Sequence, residues 1–181
     1  DFTRLSFTNE KLGGGISGDL AQVLRIEKGY TYGAYSYLIN GKIARPFIAS
    51  TSVRANATED SLRIIREMID VYADAFSAED VEVTQQKLIK ENTRAFESLG
   101  AKLGTLRDIS KYGKSKTFVE DEQQELLAMS LDDFKATARA YLREDDMLYV
   151  VVGDRETQFD PVTAFAGVPV IELDIYGDPL E

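Results

Sequence analysis

Arg25 and Tyr32 are the residues whose types and spacing are best suited to hold a polar group of a ligand. They lie seven positions apart in the run from Leu12 to Gly33, whose pattern predicts a glycine-rich loop, a helix, a turn and a strand. One short turn between the helix and the strand can aim both side chains at the same point. The five N–H donors of Arg and the hydroxyl of Tyr can then hold a peptide carbonyl or a carboxylate. The structural alternative is a cation that stabilises a helix C-terminus and a tyrosine that packs in the sheet.

Three consecutive glycines, Gly13 to Gly15, precede the predicted helix of Arg25. A glycine-rich loop at a helix N-terminus can cradle a phosphate group. This run lacks the Gly-Lys-Ser/Thr ending of a P-loop and the spacing of a dinucleotide-binding fingerprint. The pattern therefore favours a loop that ends one helix before the next begins.

The chain of 181 residues contains neither His nor Cys. This excludes disulfides and the histidine-dependent nucleophilic mechanisms, and it removes the usual ligands of catalytic zinc, so no cofactor is expected here. The net charge of −10 disfavours nucleic acid as a partner. No apolar stretch approaches the roughly 18 residues of a membrane span. The carboxylates of one predicted helix form no acid/base pair and are expected on a solvated face: Glu79, Asp80, Glu82 and Glu91.

The elements that must position Arg25 and Tyr32 are predicted as follows. Residues 1–12 have helical spacing, and Ser17 is a predicted N-cap for a helix through Lys28. The tyrosine-rich segment Tyr30 to Ile39 predicts a strand, and Asn40-Gly41 predicts a turn to a partner strand, Pro46 to Val53. Tyr30 and Tyr32 are expected on one face of the first strand, with Tyr35 and Tyr37 on the other.

A block of helices follows the strand pair, and an apolar strand follows the helices. Two Ser-x-x-Asp patterns, at Ser77 and at Ser130, predict capping boxes. The predicted elements are a helix from Thr58, a helix from Ser77 to about Leu99 ended by Gly100, a helix from Leu103 toward Gly113, a helix from Ser130 through Leu142, a buried strand from Met147 to Val152, and a last strand or tail from Val168 to Ile175.

This order predicts an α+β fold, with helices packed on one face of a mainly antiparallel sheet. No repeat or linker divides the chain, so residues 1–181 are predicted to form a single domain. The sheet is small, with three strands.

Several short motifs along the chain occur in an order that is typical of one known family. They are Asn9-Glu-Lys-Leu-Gly-Gly, Ser17, Leu24-Arg25, Glu27-Lys28-Gly29-Tyr30-Thr-Tyr32-Gly33, Phe96-Glu97-Ser98 and Val150-Val-Val-Gly-Asp154. In these motifs the chain resembles the pitrilysin/insulinase family of zinc peptidases, which includes the mitochondrial processing peptidases. The likeness covers roughly residues 5–154, and its most specific part is the segment around Arg25 and Tyr32.

The resemblance implies a role for the chain in proteolysis. The family builds clamshells from homologous α+β domains, and one half carries the zinc motif His-x-x-Glu-His. Because this chain has no His, it resembles the C-terminal, non-catalytic half, and zinc is expected in a partner half, in the same polypeptide or in a separate subunit. By motif, Arg25 and Tyr32 are the Arg and Tyr that contact the substrate backbone near the scissile bond, and the loop Gly13 to Gly15 borders the cleft.

Two other functions fit the same residues. The chain can be a catalytically inactive structural or assembly subunit of the family, which a partner half lacking His-x-x-Glu-His would favour. It can also be a stand-alone peptide-binding module. Family domains usually begin with strands before the first helix, whereas this chain opens in that helix. The resemblance therefore implies a sheet without its first strands, with an exposed edge at which copies can pair.

Overall fold

A two-stranded antiparallel sheet lies at one side of the fold. The computed structural model describes residues 2–41, 43 and 45–180. The sheet pairs β1 (Thr31–Leu38) with β2 (Phe47–Val53), which confirms the predicted strand pair. Its connection includes Lys42 and Ala44, which lie outside the described residues, as does Asp1 of the predicted first helix.

Helices make up most of the described chain. Helix α2 (Asp19–Ala21) is short and continues directly as a π-helical segment, Gln22–Glu27. The helices are α1 (Phe2–Gly13), α2 (Asp19–Ala21), α3 (Thr58–Ala75), α4 (Ala78–Thr93), α5 (Leu99–Tyr112), α6 (Phe118–Ala128), α7 (Leu131–Tyr141) and α8 (Arg155–Ala166). The predicted α+β plan, with helices on an antiparallel sheet, is therefore confirmed. None of these helices is both long enough and apolar enough to cross a membrane, over the part of the chain that the structure describes.

The core lies between the sheet, α1, α3 and α7. Phe76 and Phe134 stack there with ring centroids 5.0 Å apart, and both side chains are buried. Leu12 and Leu24 are buried in the same cluster, and they anchor α1 and the π-helical segment. Full burial of one such side chain contributes about 1.5–3 kcal/mol. The core thus fixes the helix that carries Arg25.

Both predicted capping boxes are present. The hydroxyl oxygen of Ser77 accepts a hydrogen bond from the backbone N–H of Asp80, whose carboxylate accepts from the N–H of Ser77. Ser130 and Asp133 form the same reciprocal pair at the start of α7. Each pair satisfies two N–H groups that the first helical turn leaves free, so these two helix starts could be located from sequence.

Other helix boundaries differ from the prediction. Helix α4 ends at Thr93, before a 3-10 turn, Arg94–Phe96, and Gly100 lies inside α5 instead of ending a helix. The reason is Ser98, whose hydroxyl accepts from the N–H of Ala101 at 3.1 Å and starts α5 two residues before the glycine. Helix α8 was not predicted, and it contains a proline, which argues against a helix in sequence.

The segment Met147 to Val152 is not the buried strand that its sequence predicts. It follows a 3-10 turn, Glu144–Asp146, and no strand of the described chain pairs with it. Leu148, Val150 and Val152 are 94%, 82% and 96% exposed, whereas the alternate residues are half-buried. The segment is thus extended, and the described residues cover only one of its faces. Further along, Val168 to Ile175 forms no strand and contributes one bridge, between Leu173 and Pro179.

Candidate peptide-binding site at the start of the hairpin

The turn before β1 brings the helix of Arg25 next to the strand of Tyr32. Gly29 has a φ of 61°, a left-handed conformation that glycine adopts without steric cost. This reversal lets the backbone N–H of Tyr30 donate to the carbonyl of Leu24 at 2.9 Å. Arg25 directly follows one partner of this bond, and Tyr32 lies two residues after the other. The predicted arrangement of helix, turn and strand is therefore present.

Arg25 lies on a π-helical turn and not on an ordinary α-helical one. The backbone N–H of Lys28 donates to the carbonyl of Val23 at 3.0 Å, a bond that spans five residues. Such widened turns are rare and are frequent at functional sites. The side chain of Arg25 is half-buried on this turn. No signal in the sequence indicated the widening.

Tyr32 lies in a β-bulge. Thr31 pairs with Val53 and Ala34 pairs with Thr51, so Tyr32 and Gly33 together face the single residue between those partners on β2. A bulge of this kind bends the strand and re-aims a side chain. Tyr32 is 95% exposed as a result, whereas Tyr30 packs against the core.

Because of the bulge, the predicted alternation of tyrosines is wrong at Tyr32. Tyr30 and Tyr32 do not share an environment, because the extra residue changes the order of faces after Thr31. Beyond the bulge the alternation is regular: Ala34 and Ser36 are buried, and Tyr35 and Tyr37 are 43% and 47% exposed. Three tyrosines, including Tyr32, are therefore open to solvent.

Two threonines hold the bulge in place. The hydroxyl oxygen of Thr31 accepts from the N–H of Gly33 at 3.1 Å, and this hydroxyl donates to the carbonyl of Ser52 at 2.7 Å. The hydroxyl of Thr51 donates to the carbonyl of Gly33 at 3.0 Å. These side chains replace the ladder bonds that a bulge disrupts, so the backbone under Tyr32 is fixed from both strands.

The polar ends of both predicted site residues are free to bind a ligand. Neither the guanidinium of Arg25 nor the hydroxyl of Tyr32 has a hydrogen-bonding or ionic partner among the residues that the structure describes. The sequence from residue 20 to residue 57 carries five cations and one anion, Glu27, in a chain whose net charge is −10. Arg54, one of these cations, lies over the ring of Tyr30 with its guanidinium carbon 5.2 Å from the ring centre. The free N–H donors of Arg25 and the hydroxyl of Tyr32 favour an electron-rich group such as a carbonyl or carboxylate.

The triple glycine has a packing role. A Cβ built on Gly13 would lie 2.3 Å from the backbone nitrogen of Ser36, and one on Gly14 would lie 2.1 Å from the carboxylate of Glu10. The missing side chain of Gly13 lets the end of α1 approach β1, where Asn9 exchanges two hydrogen bonds with Ser36, whereas Gly14 leaves room for the carboxylate of Glu10. A carboxylate against Gly14 also disfavours a phosphate. A cleft of about 380 Å³ between α1 and β1 borders Gly13, Gly14, Tyr35 and Tyr37.

The described residues contain no group of three or more Asp, Glu, His or Cys side chains that could hold a metal ion.

Comparison with known proteins shows a similarity to one family over the first part of the chain. A family model described as the peptidase M16 inactive domain matches residues 1–88, which include Arg25 and Tyr32. No match was found among curated protein sequences.

Solved structures extend the likeness to most of the chain. The peptidase M16 inactive domain from Pseudomonas fluorescens is 23% identical with a TM-score of 0.71, and the match covers 80% of this chain and 35% of that one. A protease from Helicobacter pylori is 18% identical with a TM-score of 0.64, covering 79% and 35%. A proposed zinc protease from Bordetella pertussis Tohama I is 14% identical with a TM-score of 0.63, covering 82% and 84%.

The chain spans about a third of the length of the first two of these structures. In sequence over residues 1–88, and in fold over about four fifths of its length, the chain resembles the inactive domain of the M16, or pitrilysin, family of zinc peptidases.

Proposed function

We propose that residues 1–181 form one domain that binds extended peptide substrate as the non-catalytic half of a zinc endopeptidase. The observation that carries this proposal is that Arg25 and Tyr32, whose polar ends have no partner among the described residues, lie on a π-helical turn and an adjoining bulge. The likeness to M16 inactive domains supports it. A partner half that carries His-x-x-Glu-His completes the enzyme, in the same polypeptide or as a separate subunit.

Arg25 and Tyr32 position the peptide for a reaction that occurs on the partner half. Zinc bound in that half would supply the activated water for hydrolysis of the peptide bond. The guanidinium of Arg25 and the hydroxyl of Tyr32 donate hydrogen bonds to backbone carbonyl oxygens of the bound peptide. Because the turn and the bulge already fix the backbone under both residues, only the two side chains have to be ordered when the peptide binds.

Activity of the whole peptidase tests the proposal. The charged hydrogen bond of Arg25 is worth roughly 1.5–3 kcal/mol, so Arg25→Ala is expected to lower kcat/KM for an unfolded peptide by about 10- to 150-fold. Tyr32→Phe removes a neutral hydrogen bond of about 1 kcal/mol and is expected to lower kcat/KM by about fivefold.

Two variants serve as controls for these measurements. Arg107 is exposed on α5, and Tyr176 is exposed near the end of the chain, so Arg107→Ala and Tyr176→Phe remove the same groups elsewhere. Normal turnover in both site variants, or losses matched by the controls, would contradict the proposal. A partner half without the zinc motif would instead favour the structural or assembly subunit.

A further inference from the structure

Tyr35 leans over the bulge beside Tyr32. A Cβ built on Gly33 would lie 2.6 Å from the Tyr35 hydroxyl oxygen and 2.7 Å from its ring carbon Cε2. The phenol end of Tyr35 therefore occupies the space that any other residue at position 33 would fill. Since Gly33 directly follows Tyr32, the hydroxyl of Tyr35 lies next to the backbone that carries Tyr32.

Backbone conformation does not explain the glycine at position 33. The positive φ angles of the described chain are at Gly29, Gly113, Gly167 and Gly177, and Gly33 is not among them. An alanine could adopt this backbone, but its methyl group would displace the ring of Tyr35. Glycine at position 33 is thus explained by the ring that rests on it.

The hydroxyl of Tyr35 has no partner among the described residues, like that of Tyr32. A tyrosine whose ring only covers a glycine in a strand needs no hydroxyl, since phenylalanine would cover it equally well. The hydroxyl lies against Gly33, the bulge residue that directly follows Tyr32, on the strand that the turn at Gly29 joins to the helix of Arg25.

We propose that Tyr35 is a third peptide-binding residue of this site, and that Gly33 leaves the room in which its ring lies. This inference rests on the proposed function. An extended peptide presents carbonyl oxygens on one side about every 7 Å, two residues apart. Tyr35 donates to one such carbonyl while Arg25 and Tyr32 hold its neighbours, which selects extended, unfolded peptide over folded protein.

Tyr37 provides a matched control for Tyr35. It lies two residues further along the same strand and is nearly equally exposed, but it does not lean over the bulge. The experiment is a fluorescence anisotropy titration of the full chain with a fluorescein-labelled, C-amidated peptide of 20 residues from unfolded β-casein. Tyr35→Phe is expected to weaken binding about fivefold, and Tyr37→Phe less than twofold.

Gly33→Ala keeps the hydroxyl of Tyr35 but fills the space in which its ring lies. It is expected to weaken binding as much as Tyr35→Phe, and the double variant is expected to be no weaker than Gly33→Ala alone, because both changes remove the same contact. The ring-current shift of the Gly33 α-protons in NMR spectra gives an independent readout. It is expected to persist in Tyr35→Phe and to disappear in Tyr35→Ala.

The outcomes distinguish this inference from the proposed function. If Arg25→Ala and Tyr32→Phe weaken binding while Tyr35→Phe equals Tyr37→Phe, the role of Tyr35 is overturned and the proposed function stands. Additive effects of Gly33→Ala and Tyr35→Phe also overturn it. If the parent chain does not bind the peptide, or if Arg25→Ala and Tyr32→Phe bind as the parent does, the proposed function fails and the inference fails with it.

Discussion

At the scale of single residues, the site depends on a few positions where the backbone departs from regular geometry. Gly29 reverses the chain, the π turn widens the helix under Arg25, and the bulge turns Tyr32 outward. The sequence allowed Arg25, Tyr32 and the turn at Gly29 to be predicted, because residue type and spacing are visible there. The bulge and the position of Tyr35 could not be predicted, since they depend on the pairing between β1 and β2, and no residue pattern signalled the π turn.

Gly29→Ala is expected to lower the free energy of unfolding by about 1–2 kcal/mol. A residue with a Cβ is strained by roughly that amount in the left-handed conformation of Gly29. Urea denaturation measures the change. Gly104 is the control, because it lies inside α5 with open space around it, and alanine there should stabilise the helix by up to about 1 kcal/mol. Equal effects of the two substitutions would contradict the turn described here.

Tyr72 is expected to make stability fall at high pH. Its hydroxyl donates to the carbonyl of Thr8 at 2.6 Å inside the core. Burial raises the pKa of Tyr72 well above its ordinary value of 10.0, with the charge of Asp19 acting in the same direction. The folded chain therefore keeps this proton when the unfolded chain loses it, so the stabilisation is complete below about pH 10 and is lost as the pH rises further.

Tyr72→Phe tests both parts of this argument. At pH 7 it is expected to reduce the free energy of unfolding by about 1 kcal/mol through the lost hydrogen bond. Above pH 10 the variant should lose stability less steeply than the parent, and denaturant titrations at several pH values measure the two slopes. Parallel slopes would show that Tyr72 does not titrate with unfolding.

At the scale of secondary-structure elements, local signals located some boundaries and not others. Ser77 and Ser130 mark helix starts because a capping box is a bond between residues three apart, and both were predictable. Gly100 misled the prediction because the N-cap of Ser98 outweighs the helix-breaking tendency of a nearby glycine. Met147 to Val152 reads as a buried strand, but burial requires a neighbour that a sequence pattern does not supply.

Ser130→Ala is expected to destabilise the fold by about 1 kcal/mol, because it removes the acceptor for the N–H of Asp133. Ser110 supplies the comparison, since it is exposed within α5 and forms no cap. Ser110→Ala should leave stability unchanged or slightly raised, as alanine favours helix. Thermal unfolding followed by circular dichroism measures both, and equal midpoints for the two variants would contradict the contribution of the cap.

At the scale of the whole molecule, the described chain has packed helices and one extended segment, Leu148 to Val152, that is incompletely covered. The outer apolar side chains of the segment from Leu148 to Val152 are almost fully exposed. A free, apolar extended segment is a template for pairing with another chain. The net charge of −10 opposes association at low salt, so pairing should increase as salt screens that charge.

Sedimentation velocity at rising concentration and salt is expected to show self-association of this chain. Val150→Lys places a charge in the middle of the segment and should reduce the associated fraction several-fold. Leu103→Lys changes an exposed leucine on α5 and should have little effect. A parent chain that stays monomeric throughout, or two variants that behave alike, would argue against pairing through this segment.

In the segment from Leu148 to Gly153, side chains are packed although the backbone N–H groups form no hydrogen bonds within the described chain, whereas packed side chains and a hydrogen-bonded backbone usually occur together. Its alternate side chains pack against the fold, and the ring of Tyr149 meets that of Phe165 edge-on at 5.0 Å. Yet its backbone N–H groups donate to no acceptor in the described part of the chain. Deuterium should therefore replace these amide protons within seconds, as in an unfolded peptide, while the side chains keep one conformation. Slower exchange at these amides would show that another strand has paired with this segment.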